Sequence, residues 1–470
     1  MLKKYKLMHI MFSIGILCSI NSNVFSSSKN PKGVVQKTPK ISTSYAKTFD
    51  KPKRIQITRG VIRAEPIAVF DFTNDQNGPD KDAEEISNIV SNDLKNSGLF
   101  APMASNSFPQ VFSEIIRTSL NFALWQKAST RFVLMGRVSK RFSTTTVHFY
   151  LYDVLTKQKI LSKEVSGRNS RKVAHAVADL IYSRITNEAG FFNTKIVYAK
   201  PIGVGRKKTT QLWIMDYDGH HPKPLTDQKH LVLTPRFSPT GKDIAYLKVH
   251  NGKAEVFVMN LKTKRGEHLG EFEGMSFAPR YSPVRNEIVM SLTKDGKSAI
   301  YKMNLDNRVL TRLTKHVSID TSPCFSPDGG QIVFTSDRAG REHIYIMNSD
   351  GSDVRRLTFG ADKYSQPVWS PRGDLIAFTK QARIPGEGSK FYIGVMGIDG
   401  TGERMIADGW LVEEPCWSGN GRYLIFTKQV SVRQQTRLYM VDLTGYNQQW
   451  IKTKTAAYNG TWSPLVDSLD

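Results

Sequence analysis

The sequence predicts a small α/β (α+β) N-terminal domain followed by a six-bladed all-β propeller closed by the C-terminal strand. Three observations carry this. The stretches PRFSP, PRYSP, PCFSP, PVWSP, PCWSG and GTWSP place Ser238, Ser282, Ser326, Ser370, Ser418 and Ser463 in steps of 44, 44, 44, 48 and 45 residues. A second series of the IYIMN type places Met215, Met259, Met303, Met347, Met396 and Val441 in steps of 44, 44, 44, 49 and 45. Upstream of residue 190 neither series appears, and strand-like runs are flanked by helical ones instead.

With 470 residues, 40% hydrophobic and 23% charged, the chain is long enough for two or three cores. Lys3, Lys4 and Lys6 precede the apolar run 7–20, and small residues follow. This is the pattern of a secretory signal peptide over 1–26. Residues 27–53 are rich in Lys, Ser, Thr and Pro and predict a basic disordered arm. The formal net charge is +24. An exported chain with no aromatic residues interleaved in a basic run argues against nucleic acid and for anionic surfaces or acidic partners.

The N-terminal α/β domain is expected over 54–190. RIQITRGVIR alternates, and PIAVFDF (66–72) reads as a strand. Residues 82–98 put Ile86, Ile89, Val90 and Leu94 on one helical face, with Gly98 as the stop. A short helix near 121–128 precedes strands at 131–138, 145–154 and 159–167. Residues 170–186 set Val173, Ala176, Val177, Leu180 and Ile185 at helical spacing. Residues 191–470 then offer four short strands per period of ~44 residues, the size of a propeller blade. The first unit lacks its own WSP strand, whereas the last WSP strand has no unit after it. Six blades therefore close only if the C-terminus completes the first.

Chemistry is sparse. GxSxG is absent from the chain. The pair Glu413 and Glu414 is expected on opposite strand faces. His220 and His221 sit in a DGHHP turn without spaced partners for zinc, and NSDGSD (348–353) lacks a distal glutamate for calcium. Cys324 and Cys416 occupy matching positions two repeats apart, too far for a disulfide, and read as buried apolar-like residues. No catalytic residue, cofactor or metal is proposed.

The repeat PxWSPDG…IYxMxxDG…RLT, the segment RIQITRG followed by PIAVF, the helix ISNIVSNDLKNSGLF and the bridge GFFNTKIVYA together resemble the TolB family across 54–470. The arm at 27–53 is a departure from that pattern. The resemblance implies a non-catalytic periplasmic adaptor of the Tol–Pal envelope system, serving outer-membrane integrity and cell division. It implies the peptidoglycan-associated lipoprotein Pal as partner on the loops that enter the WSP strands. By motif position those residues are Met275, Ala278 and Thr321, with Phe277, Tyr364, Gln366, Glu414, Tyr458 and Asn459 by analogy among repeats. It also implies that Arg54, Ile55, Gln56, Ile57, Thr58, Arg59, Gly60 and Val61 form a TolA-binding segment, by strand addition to a partner sheet. Other inner-membrane Tol proteins and outer-membrane proteins are further expected partners, with peripheral rather than spanning association. The alternative is a secreted propeller lyase or hydrolase acting on cell-wall polymers.

Overall fold

In the computed structural model, six four-stranded antiparallel sheets follow a mixed six-stranded sheet. The structure describes residues 63–203, 209–250, 253–272, 276–294, 297–386 and 388–465; at 271, 276–278 and 294 it describes the backbone alone. The signal peptide expected over 1–26, the basic arm expected over 27–53 and the segment Arg54–Val61 lie outside these residues.

The first sheet holds β1 (Glu65–Val69), β2 (Thr73–Asn74), β3 (Phe100–Pro102), β4 (Phe132–Arg141), β5 (Thr144–Asp153) and β6 (Gln158–Gly167). Its order is β3-β1-β4-β5-β6, with β2 also pairing β4. Strand alternation sorts its side chains between two cores. Ile67 and Leu134 face α1 (Lys81–Asn96) and α4 (Ser170–Thr186). Their neighbours Ala68 and Val133 face Ile115 of α2 (Phe112–Thr118) and Trp125 of α3 (Phe122–Lys127). β2, β3 and α2 were not anticipated; each is too short to show a period.

Helix ends follow their local chemistry. Asp80 caps α1 by accepting from Ala83 N at 3.0 Å, and Asn169 caps α4 through Lys172 N at 3.0 Å. Gly98 follows α1 at φ +73, and a Cβ there would strike the Asn447 side chain. The stop signal is therefore also a packing requirement. In α4 the buried face is Val173, Ala174, Val177, Ala178 and Ile181, while Leu180 is exposed. The face is turned from the expected one because α4 packs on both the sheet and the blades.

Blade 1 joins Tyr458–Trp462 to Lys195–Ile202, Thr209–Asp216 and Lys223–Pro224. Blades 2 to 6 begin at Leu231–Phe237, Ser276–Tyr281, Asp320–Phe325, Lys363–Trp369 and Leu411–Trp417. Each first strand packs against the next around a channel, and the last against the first. The ring is closed by antiparallel pairing of Thr461 with Val197 and Trp462 with Ile196. Trp462 is buried and its Nε1–H donates to Thr194 Oγ1 at 2.8 Å. Among the described residues no helix is long and apolar enough to cross a membrane.

Trp462→Ala should cost about 3–5 kcal/mol by emptying this site. A chain ending at residue 456 should lose the ring's closure altogether. Urea unfolding followed by circular dichroism measures both. Wild-type midpoints in either variant would exclude the clasp as the source of stability.

Candidate functional site

The inner strand of every blade contains a register shift at the same place. The shifts fall at Leu233/Arg236, Phe277/Arg280, Thr321/Cys324, Ser365/Val368, Glu413/Cys416 and Tyr458/Thr461. Thr234, Ser322, Gln366, Glu414 and Asn459 have φ between 48 and 57. Each lies four residues before the repeat's serine. Left-handed backbone at a non-glycine residue is uncommon, and recurring bulges re-aim side chains at functional rims. The residues expected in loops therefore stand on bulged strands.

The N–H groups turned out of the ladder are taken up by neighbouring blades. Gln366 N donates to Thr335 Oγ1 at 3.2 Å, Asn459 N to Thr427 Oγ1 at 3.2 Å, and Glu414 N to Gln366 Oε1 at 2.8 Å. Thr379 Oγ1 donates to Gln366 Oε1 at 2.9 Å. Across the channel, the Arg236 guanidinium of blade 2 pairs with the Glu414 carboxylate of blade 6.

Of the expected docking residues, the bulges bring Thr321, Gln366, Glu414 and Asn459 to one level of the channel wall, whereas the Tyr458 side chain packs among Val197, Leu212 and Val232 of blades 1 and 2. Tyr364 is not with them. It is buried, packs on His343 and Phe378, and its hydroxyl donates to Glu403 at 3.1 Å. Met275 lies outside the described residues, and the side chains of Phe277 and Ala278 are likewise undescribed. Glu413 is the last paired residue before the bulge and Glu414 lies within it, at φ 57. Burial and the neighbouring Glu414 carboxylate push Glu413 up to about 7.

Beyond the bulges the channel opens into a cavity of about 480 Å³. Its wall includes the residues just before each repeat aromatic: Arg236, Arg280, Cys324, Val368, Cys416 and Thr461. The two arginines were missed in the sequence; the signal was Arg at a position where other repeats have Cys, Val or Thr. Both cysteines are free, and Cys416 is half-buried on this wall rather than deep in a core. Their sulfurs accept from Trp369 N at 3.5 Å and Trp462 N at 3.3 Å.

A second polar cluster joins the helices to blade 1. Asp93 Oδ2 lies 2.6 Å from His175 Nδ1, and the Tyr217 hydroxyl donates to Asp93 Oδ1 at 2.6 Å. Burial raises the Asp93 carboxyl; burial would lower His175, but the Asp93 carboxylate outweighs it and raises it. Arg171 pairs with Asp216 and Asp218, and Lys195 pairs with Asp216. His221 Nδ1 is 2.9 Å from Asp216 and His220 Nδ1 is 3.2 Å from Asp218. His175, Asp216 and Asp218 thus have the ligand types and proximity a metal needs, within 4.8 Å of one another. Both carboxylates are already engaged by cations, so the cluster reads as a polar clamp. His220 and His221 of the DGHHP turn thus partner Asp218 of the same turn and Asp216 just before it, while α4 brings Arg171 and His175 to the two aspartates. In the turn at 348–353, Asp350 accepts from Ser352 N at 2.9 Å and closes a local loop.

Residues 182–466 match the TolB β-propeller domain family, and residues 53–160 match the TolB amino-terminal domain family. The chain belongs to the TolB family. The Tol-Pal system protein TolB of Paramagnetospirillum magneticum is 42% identical over 227 residues, 48% of this chain and 51% of that protein. The match thus spans about half the length of that curated relative. The crystal structure of TolB from Acinetobacter baumannii superposes with a TM-score of 0.76 at 26% identity, covering 87% of this chain and 98% of that one. The bulge ring and the clamp are therefore features of a TolB-family fold.

Glu413 binds its proton more tightly folded than unfolded. The folded state therefore holds more protons between about pH 4.5 and 7, and stability falls as pH rises through that window. Glu413→Gln should remove this share, of order 1–3 kcal/mol between pH 5 and 8. Melting temperatures of both proteins at the two pH values test it. An identical pH dependence in the variant would refute the assignment.

Proposed function

We propose that this TolB-family protein is a non-catalytic periplasmic adaptor of the Tol–Pal system. Its bulged channel rim docks the lipoprotein Pal, and the segment Arg54–Val61 engages TolA. The observation that supports this most is the convergence of Thr321, Gln366, Glu414 and Asn459 from four blades at one level. A partner seated there meets several blades at once. The bulged backbone is held by hydrogen bonds between blades, so the surface is organised before the partner arrives.

The role in outer-membrane integrity and division follows from system membership. The signal-like N-terminus favours the periplasm. The mechanism is linkage. If the 54–61 segment rests differently on the body with and without TolA, Pal affinity changes, and TolA affinity must change equally in return.

Calorimetric titration of residues 27–470 with the soluble domain of Pal should give saturable one-to-one binding. A chain starting at residue 66 should bind with altered affinity. Thr321→Arg, which projects a long cation from the rim, should weaken binding by about tenfold or more. Tyr364→Phe should leave it unchanged, because that hydroxyl faces Glu403. No binding by either folded chain would reject Pal as the partner.

A further inference from the structure

The channel cavity contains a charge that the described residues leave unanswered. Arg236 is 5% exposed; its Nη1 donates to the Pro235 carbonyl at 2.8 Å and its Nη2 pairs with Glu414. Its Nε–H is buried without an acceptor. Arg280, the equivalent residue in the next blade, makes no ion pair or hydrogen bond with any described residue, and its Nε is also buried and unsatisfied. Burial and the neighbouring Arg236 guanidinium hold Arg280 below the usual arginine range. Buried cations and donors are ordinarily partnered, because leaving them bare is costly.

The surroundings specify what would partner them. Among the described residues, two guanidiniums face one paired carboxylate, Glu414, which leaves one net positive charge that a monoanion balances and a dianion overshoots. The guanidinium fork matches the two oxygens of a carboxylate. Trp369, Trp417 and Trp462 are on the same wall, so the rest of the cavity suits an apolar body. A volume of about 480 Å³ lies within the range of small-molecule sites.

We propose that this cavity binds a small organic monocarboxylate, held by Arg280 and the free Nε–H of Arg236, with its apolar part against the tryptophans. The site lies past the bulge ring and does not depend on which partner docks there. Arg236 belongs to both, through Glu414.

The probes are phenylacetate, octanoate and acetate, with phenylacetamide as the uncharged counterpart and inorganic phosphate, at about pH 8.5 where it is mostly the dianion, as the doubly charged one. Residues 27–470 would be titrated by calorimetry and by tryptophan fluorescence, which reads the cavity wall directly. One-to-one saturable binding of phenylacetate or octanoate is expected, tighter than acetate, with phenylacetamide weaker by about tenfold or more. Arg280→Met should weaken the carboxylates by about tenfold or more, and Arg280→Lys should retain part of the affinity. Circular dichroism melting confirms that each variant folds; should Arg280→Met not fold, the Lys variant and the amide carry the test. No saturable carboxylate binding up to about 10 mM would overturn the proposal. So would equal binding of the amide, tighter binding of phosphate, or unchanged affinity in a folded Arg280→Met. Pal titration of the same preparation separates this outcome from failure of the adaptor reading.

Discussion

Everything in the propeller depends on one pairing between residues far apart in the chain. Tyr458–Trp462 must lie antiparallel to Lys195–Ile202, or blade 1 has no inner strand and blades 6 and 2 have no common neighbour. A closed ring has no exposed inner edge to pair with another chain. It also fixes the channel's circumference, which is what allows a side chain on blade 2 to meet one on blade 6. Trp462 concentrates this role. Its backbone closes the ladder, its ring packs on Phe191, and its indole N–H reaches Thr194 at the junction with the helices.

The same junction ties the N-terminal elements to the ring. Ile86 and Val90 of α1, Val177 and Ile181 of α4, and Tyr217, Tyr423 and Trp462 of the blades share one apolar core. Around it, the Tyr423 hydroxyl donates to the Ser97 carbonyl at 2.9 Å, and Arg422 Nε donates to Glu188 at 2.5 Å. A displacement of either helix would have to break buried polar contacts as well as apolar ones.

The architecture was legible because a blade repeats. Two residue ladders with one period expose the strand count, and the unmatched first and last units expose the clasp. The site was legible only in part. The bulges are carried by Thr, Ser, Gln, Glu and Asn rather than glycine, so nothing in composition marks them; only their constant offset from the serines does. Analogy among repeats grouped Tyr364 with Gln366, but the bulge begins only after Ser365, so Tyr364 stays in the regular ladder and turns into the core. The clamp was hidden for another reason. Asp93, His175 and Tyr217 meet only after α1, α4 and blade 1 pack together, and no local pattern encodes that meeting. The two channel guanidiniums were written plainly as PRF and PRY, but their meaning depends on what the other blades bring around them.

The central claim is that the bulged rim of the channel is the docking surface. Amide hydrogen exchange of residues 27–470, with and without the soluble Pal domain, tests it most directly. The account predicts added protection at the first strands of several blades, centred on 321–322, 365–366, 413–414 and 458–459, with little change at the repeat serines. Protection confined to the outer strands of one blade, or to the helices, would contradict it.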